Sequence, residues 1–207
     1  LLLIFRRNFM NINNEIYKLL IQPENLAMAM EISDYLDEIK YQTHFDIWSG
    51  INPALKGFLV ESNYAKNWQL RPFKIKSLKK EWGKGYIYPI SSNQETPLLE
   101  FAFGQAGKTN SYRLFYGVVF TKDSQLKNDL ISTRLKGEII SQGLTLTSPN
   151  WPGWNYLPQI PYTHEFIVGM TTHKDTYIQN AAKMIWDMFI NLAPHLDAVN
   201  QSLISEN

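Results

Sequence analysis

The sequence contains no cysteine and only four histidines among its 207 residues. Without cysteine, the chain can form neither a disulfide framework nor a zinc site with thiolate ligands. The histidines are His44, His164, His173 and His195, and they show none of the HxH, HxxxH or HExxH spacings that bring two metal ligands together. We therefore expect no metal and no other cofactor, and we interpret the histidines as isolated surface or core residues.

Long apolar runs and a strong charge of one sign are also missing. The N-terminal apolar run Leu1–Phe5 is five residues long, whereas a signal peptide needs about 7–15 apolar residues and a membrane span about 20. The formal net charge is +1, so any basic surface that binds nucleic acid must be local. These features predict a cytoplasmic protein that does not associate with membranes.

No complete catalytic motif is present. Gly104–Thr109 resembles the end of a phosphate-binding loop, but Ala102 occupies the place of the first glycine, and the residues that follow read as a strand rather than a helix. We predict a hairpin turn there.

Two segments resemble fragments of a nuclease site, in which two carboxylates on strands hold Mg²⁺ and a lysine orients water. Glu38-Ile39-Lys40 lies on a predicted helix, and Asp123 with Gln125–Lys127 lies at a predicted helix start. Both are interpreted as solvated helix residues. An enzyme whose site the fold assembles from Glu100, Arg113 and His164 is a further hypothesis.

The content is that of a well-packed protein, with 44% hydrophobic and 14% aromatic residues. We predict an α+β fold with a mostly antiparallel sheet, N-terminal helices and a long C-terminal helix packed on the sheet. Residues 1–66 would form an N-terminal helical segment and residues 67–207 the α+β domain, folding together as one cooperative unit.

Apolar residues at helical spacing predict three N-terminal helices. The first covers Ile12–Ile21 and the second Glu24–Tyr41, with a proline between them. Ser49–Gly50 breaks the pattern, and a third helix is expected over Asn52–Lys66, capped by its first two residues. The acidic residues of the second helix should face solvent: Glu31, Asp34, Asp37 and Glu38.

Near Trp68 the apolar spacing changes from helical to alternating. Turn-rich segments at 82–85, 91–93 and 104–107 separate four predicted strands, which suits an antiparallel meander. The strands are expected at Leu70–Leu78, Tyr86–Ile90, Leu98–Phe103 and Tyr112–Phe120.

A helix is predicted from Asp123 or Ser124 to Ser141, with Gly143 at its end. A short strand follows at Leu144–Thr147. The segment Asn150–Pro158 is too rich in proline for a central strand.

An edge strand at Glu165–Gly169 precedes a long helix over Asp175–Leu203, which Pro194 should kink or divide. Trp151, Trp154 and Tyr156 are interpreted as core anchors that pack the strands on this helix, and the alternative is an aromatic pocket that binds a ligand.

The basic segment Lys66–Lys84 is the strongest local signal for function. Its lysines and arginine outnumber a single acid, Glu81, and aromatic residues lie between them. Cations can neutralise phosphates while aromatic rings stack on bases, which predicts a nucleic-acid-binding site. The predicted residues are Lys66, Trp68, Arg71, Lys74, Lys76, Lys79, Lys80, Trp82 and Lys84. The alternatives are an edge strand that lysines protect from aggregation, or an acidic protein surface as partner.

The order of helix, lysine-rich strands, the strand Tyr116–Phe120, a second helix and Trp151-Pro152-Gly153-Trp154 resembles the region after the nuclease core in bacterial PD-(D/E)XK superfamily proteins. The resemblance covers about Glu24 to Leu203. It implies a role in defence against foreign DNA and a non-catalytic accessory or recognition part, because the family's catalytic strand is absent and no catalytic residue carries over.

The sequence therefore predicts a non-catalytic recognition domain, related to these defence nucleases, that binds nucleic acid or a partner protein. The alternative is a protein-interaction inhibitor, such as an immunity or anti-defence factor, that binds no nucleic acid and uses the acidic helix residues. The oligomeric state and the ligand do not follow from the sequence.

Overall fold

The segment 68–120, in which apolar residues alternate, supplies four adjacent strands of a six-stranded antiparallel sheet. Together with the helices, the sheet makes an α+β fold, as predicted. The computed structural model describes residues 14–78, 80, 82–90, 99–107, 112–121, 128–158 and 163–205. In these residues the helices are α1 Asn14–Leu20, α2 Pro23–Glu61, α3 Asn128–Ser141 and α4 His164–Ser205. The strands are β1 Trp68–Arg71, β2 Trp82–Pro89, β3 Leu99–Ala106, β4 Arg113–Phe120, β5 Leu146–Ser148 and β6 Trp151–Tyr156.

The chain divides into two units, Leu1–Gln42 and Thr43–Asn207. In the described part of the first unit, α1 and the start of α2 carry exposed apolar side chains such as Met28 and Ile32, and the four acidic residues are exposed as expected. The second unit contains the sheet, α3, α4 and the rest of α2. Residues after Thr43 contribute to the core around the sheet. The predicted boundary at residue 66, with both parts folding as one cooperative unit, stays a prediction.

Helix α2 is continuous where two helices were predicted, so the predicted break at Ser49–Gly50 is wrong. Gly50 is a point of close packing: a Cβ there would lie 2.6 Å from Cγ2 of Ile178 on α4. Asn52 does not cap a helix either. Its side chain accepts a hydrogen bond from the Phe73 N–H at 2.9 Å and donates one to the Phe73 carbonyl at 3.0 Å. Pro53 lies inside the helix, which ends at Glu61 and is followed by a 3₁₀ turn, Asn63–Lys66.

The strand order is β1-β2-β3-β4-β6-β5, and the first four strands form the predicted meander. Two details of the meander were predicted wrongly. Residues 82–85 belong to β2 rather than to a turn, and residues after Arg71 leave the sheet and form a 3₁₀ turn at Ile75–Ser77. A third detail differs as well: Gly104–Ala106 were expected in a turn, but they belong to β3. β3 and β4 pair as a hairpin, as predicted, whereas residues 108–111 and the turn predicted at 91–93 lie outside the described residues.

The proline-rich tryptophan segment forms an internal strand, contrary to the prediction. β6 pairs with β4 on one side and β5 on the other. Its pairing with β5 shifts register between Leu146 and Ser148, opposite the stretch that contains Pro152. A proline lacks the N–H that a regular ladder needs, so an irregular register allows it inside a sheet.

One face of the sheet, the inner face, carries the main core, in which α2, α3 and α4 supply apolar side chains. Trp48 of α2 stacks on Phe73 with ring centroids 4.1 Å apart, and Phe189 of α4 meets Trp68 and Phe101 edge-on. Burial of such rings contributes roughly 25 cal/mol per Å² of apolar surface removed from water. The long C-terminal helix is therefore packed on the sheet as predicted.

Helix α4 begins at His164, so the edge strand predicted at Glu165–Gly169 is wrong. Its dihedral angles leave the helical range at His173 (φ −124°, ψ 21°), whereas the helix continues through Pro194, where the kink was predicted. Near its end, the Asn200 side chain exchanges two 3.1 Å hydrogen bonds with the backbone of Leu99. Gly143 ends α3 in the left-handed conformation as predicted (φ 78°); the predicted start at Asp123 or Ser124 lies outside the described residues.

Candidate nucleic-acid interface

The second face of the sheet, here called the outer face, carries a separate cluster built from strand residues. Its buried members are Ala102, Ala106, Phe115, Val119 and Trp151, and Tyr86, Trp154 and Tyr156 pack against them. Because side chains alternate along a strand, the same face also presents Arg71, Lys84 and Arg113. Large rings and cations thus share one surface.

Small residues at the centre of the sheet make room for those rings. β3 contributes Ala102, Gly104 and Ala106 to the outer face, and β4 contributes Gly117. Trp154 lies directly opposite Gly117, where an added Cβ would come within 2.5 Å of the Trp154 Cβ. The centre of the outer face therefore carries only small side chains, and aromatic side chains surround it.

These aromatic side chains enclose a pocket of about 280 Å³. Phe115 is fully buried, with its ring centroid 5.8 Å from that of Trp82 and 5.4 Å from that of Trp151. Trp82 is 49% exposed and forms an open wall. The complete lining is Trp82, Lys84, Phe115, Ser148, Asn150, Trp151 and Trp154.

Lys84 places a cation inside this pocket. Its Nζ lies 4.6 Å from the centre of the Trp151 ring, a distance at which the negative face of an indole attracts an ammonium. Burial lowers the pKa of Lys84, because a partly desolvated ammonium is less stable than one in water. In the part of the chain that the structure describes, no carboxylate lies within salt-bridge distance of Lys84.

Arg71 forms a second cation–aromatic group on the outer face. Its guanidinium carbon lies 5.2 Å from the ring centre of Tyr86 and 4.7 Å from that of Tyr88. Glu100 is buried nearby on β3, and burial raises the pKa of this carboxyl while the Arg71 charge lowers it. Burial and the Glu100 charge in turn raise the pKa of Tyr86.

Arg113 forms the third group, with its guanidinium carbon 3.7 Å from the ring centre of Tyr156. Its Nε is buried and has no hydrogen-bond partner among the residues that the structure describes. A buried N–H of this kind costs free energy, and the cation–aromatic contact of the guanidinium offsets part of that cost.

The structure places the predicted basic segment partly on this face and partly beside it. Lys84 and Arg71 lie on the outer face, Trp82 lines the pocket, and Lys79 lies outside the described residues. Trp68 and the neighbouring Phe73 are buried in the core, so neither ring can stack on a base. The remaining predicted lysines are exposed: Lys66, Lys74, Lys76 and Lys80.

Buried and partly buried hydrogen bonds fix the backbone of the loop that carries several of these lysines. Gln105 accepts a hydrogen bond from Nε1 of Trp48 at 3.0 Å and donates one to the Leu78 carbonyl at 2.9 Å. Asn52 holds the Phe73 backbone from the other side. The loop between β1 and β2 is thereby tied to α2 and β3.

Trp151, Trp154 and Tyr156 lie in the outer-face cluster, so the prediction that they pack the sheet on the last helix is wrong. The alternative interpretation, an aromatic pocket, matches their position. Sequence reasoning did not include Phe115 or Arg113 in the site. Their alternation within the strand Tyr112–Phe120 places them on one face, but the sequence does not say which face is free of helices.

The scattered enzyme site is not assembled. Arg113 pairs with Ala106, whereas Glu100 lies six residues back along β3, about 20 Å away at ~3.3 Å per residue. Glu38-Ile39-Lys40 is helical, as expected; Asp123 and Gln125–Lys127 lie outside the described residues.

Within the described ranges, no three histidine or acidic side chains cluster so as to hold a metal ion. The helices of the same ranges include none that combines the length and the apolar character needed to cross a bilayer. Comparison with known proteins finds no match to a family model, to a curated protein or to a solved structure.

Proposed function

We propose that this protein is a non-catalytic nucleic-acid-recognition module, related to the PD-(D/E)XK defence nucleases that the sequence resembles, and that it binds a single strand on the outer face of its sheet. One observation carries the proposal. Three cations, Arg71, Lys84 and Arg113, each lie over an aromatic ring on that face.

Single strands expose both features that such a face can bind. Unpaired bases stack on aromatic rings or guanidinium planes, at about 1–3 kcal/mol per base, while phosphates pair with cations. In a duplex the bases already stack on one another, so their faces cannot reach Trp82 or Tyr88. A preference for single strands over duplex follows.

The exposed lysines extend the positive surface beyond the sheet. Lys74, Lys76 and Lys80 lie on the loop that leads into β2, whose backbone is fixed by Asn52 and Gln105. A fixed loop holds its lysines near one position at little further entropic cost on binding. These lysines would contact phosphates next to the stacked bases.

The test is binding of labelled single-stranded and duplex DNA and RNA across about 50–200 mM salt. We expect single-strand affinity to fall linearly on a log–log plot. Arg71→Met and Arg113→Met should each weaken binding and reduce the slope by about one, and Lys74→Glu with Lys76→Glu should abolish binding.

Lys136→Met is the matched control, because it removes one exposed cation from α3, on the covered side of the sheet. It should leave affinity nearly unchanged. Absence of binding at the lowest salt, or equal losses for Lys136→Met and Arg71→Met, would contradict the proposal.

A protein-interaction inhibitor is the second candidate, and the first unit favours it. There Asp34 and Glu38 are exposed on α2 together with large apolar side chains, of which Met28 and Tyr35 are both at least 60% exposed. Acidic and apolar side chains on one helix suit a basic protein partner with a hydrophobic groove. Charge reversal at Asp34 and Asp37 should then abolish partner binding while the Arg71 and Arg113 substitutions have no effect.

A further inference from the structure

The pocket between Trp82 and Trp151 has a more specific chemistry than the rest of the outer face. We propose that it holds one nucleotide, with the base against the tryptophan rings and the phosphate on Lys84. If the nucleotide is part of a nucleic-acid strand, this inference rests on the proposed function. If the nucleotide is a free monophosphate, the inference is independent of the proposed function.

The size of the pocket suits one planar group. At about 280 Å³ it lies just below the roughly 300–1,000 Å³ range of drug-sized small-molecule sites. Phe115 closes the bottom, and the rings of Trp151 and Trp154 stand 82° and 78° to it. Because these rings stand steeply to the Phe115 ring and Trp82 is half-exposed, a planar base that enters edge-first can place its face against an indole.

The charge inside the pocket selects an anion. Four aromatic residues around a cavity would otherwise suit a quaternary ammonium ligand. Here the ammonium of Lys84 already lies over the Trp151 ring, so a second cation would be repelled. A neutral planar ligand would leave this partly buried charge without a counter-ion, whereas a phosphate would neutralise it.

The rim supplies polar groups for the edge of a base. Ser148 and Asn150 line the pocket and are exposed, at the end of β5 and in the turn before β6. A hydroxyl and a carboxamide each offer donors and acceptors, and an unpaired base presents its Watson–Crick edge for such contacts. Stacking, phosphate pairing and edge contacts thus come from three sides of one cavity.

The test uses the full chain and calorimetric titration with adenosine or uridine monophosphate, ribose 5-phosphate and the corresponding nucleosides. We expect the monophosphates to bind more tightly than either fragment, because only they use both the rings and Lys84. Trp82→Leu should weaken monophosphate binding about ten-fold, in the range that loss of one stacking contact gives. Lys84→Met should do the same and should reduce the preference for the monophosphate over the nucleoside.

Trp82 is half-exposed, so its replacement leaves the core intact, and an unchanged melting temperature verifies this. Lys136→Met again serves as the charge-matched control. The same variants are then titrated with a short single-stranded oligonucleotide. Weaker oligonucleotide binding by Trp82→Leu and Lys84→Met identifies the ligand as a nucleotide within a strand.

Two results separate this inference from the proposed function. If the oligonucleotide binds and depends on Arg71 and Arg113 but not on Trp82 or Lys84, the pocket inference is overturned and the proposed function stands. If monophosphates bind in the pocket but no oligonucleotide binds, the proposed function fails and the pocket is a site for a free nucleotide. Equal affinity for ribose 5-phosphate and the monophosphates would also overturn the inference, because the rings would then contribute nothing.

Discussion

Buried polar side chains are few among the described residues, and each has a definite consequence. Gln105 and Asn200 are hydrogen-bonded to backbone groups and connect the helices and the basic segment to β3. His44 is different, because burial lowers its pKa from 6.5 to about 3 and the imidazole is neutral when the protein is folded. A buried neutral histidine makes stability depend on pH.

The His44 prediction concerns unfolding between pH 7 and pH 5. Above pH 6.5 the imidazole is neutral in both folded and unfolded chains, so this group gives no pH dependence. Below pH 6.5 the imidazole takes up a proton in the unfolded chain, whereas in the folded protein it stays neutral down to pH about 3. The free energy of unfolding therefore decreases by about 1.4 kcal/mol for each unit by which the pH is lowered in this range. Denaturant unfolding should show a loss of roughly 2 kcal/mol between pH 6.5 and pH 5 from this residue.

His44→Phe is the control, because phenylalanine keeps a ring beside Tyr112, whose centroid is 5.0 Å away, and does not titrate. The variant retains the opposite contributions of Glu100 and Asp197, whose pKa values burial raises. The difference between the two pH profiles therefore isolates His44. Parallel profiles would show that His44 is not buried in its neutral form.

At the scale of elements, periodic apolar spacing predicts the helices and strands well, whereas single glycines and prolines predict the ends of these elements poorly. The meander, α3 and the core-facing half of α4 follow from apolar spacing. Gly50 and Pro53 read as helix breakers, yet α2 continues through both, because buried side chains on either side, Ile47 and Leu55, hold it to the core. Long-range packing therefore keeps these two positions helical, and local helix propensity does not include that contribution.

Replacing each of two glycines of α2 by alanine should change the free energy of unfolding in opposite directions. Gly50→Ala would place a Cβ 2.6 Å from the buried Ile178, a stiff β-branched residue, and should lower the free energy of unfolding by about 1–3 kcal/mol through overpacking. Gly57→Ala meets nothing within 4 Å and should raise it by about 0.5–1 kcal/mol, since alanine is the better helix former.

Chemical denaturation of the two variants beside the wild type measures both changes. Both variants replace glycine by alanine in the same helix, so the gain in helix propensity is the same in each. The difference between their free energies of unfolding therefore reports the contact with Ile178. If Gly50→Ala stabilises the protein as much as Gly57→Ala does, Gly50 is not a point of close packing and the continuous helix has another cause.

At the scale of the whole molecule, half of the candidate site was recognisable from the sequence. The basic segment is contiguous, so Arg71, Trp82 and Lys84 could be singled out by composition. On the opposite side of the pocket, Trp151 was named only in the alternative of an aromatic pocket and Phe115 was not named, because the two lie on strands that meet only when β6 pairs with β4. β6 also contains a proline, opposite an irregular register on its β5 side, and a local sequence pattern counts that proline as evidence against an internal strand.

The division of the chain gives the last prediction. In the first unit, the described residues include no buried side chain, whereas in the second the buried side chains begin at His44 and the core cluster at Ile47. A fragment of residues 43–207 should therefore unfold cooperatively, with a melting temperature within about 2–4 °C of the full chain, which corresponds to ~1 kcal/mol for a protein of this size.

A fragment that begins at Lys56 is the matched comparison, because it loses only the next thirteen residues of α2. Those residues include Ile47, Trp48 and Leu55, all fully buried, and each such side chain is worth about 2–5 kcal/mol. Together they amount to about 6–15 kcal/mol, which is as large as the whole stability of a domain at roughly 5–15 kcal/mol, so this fragment should show no cooperative transition. Circular dichroism melting distinguishes the two. If the longer fragment also fails to fold, residues before Thr43 contribute to stability, and the chain folds as one cooperative unit.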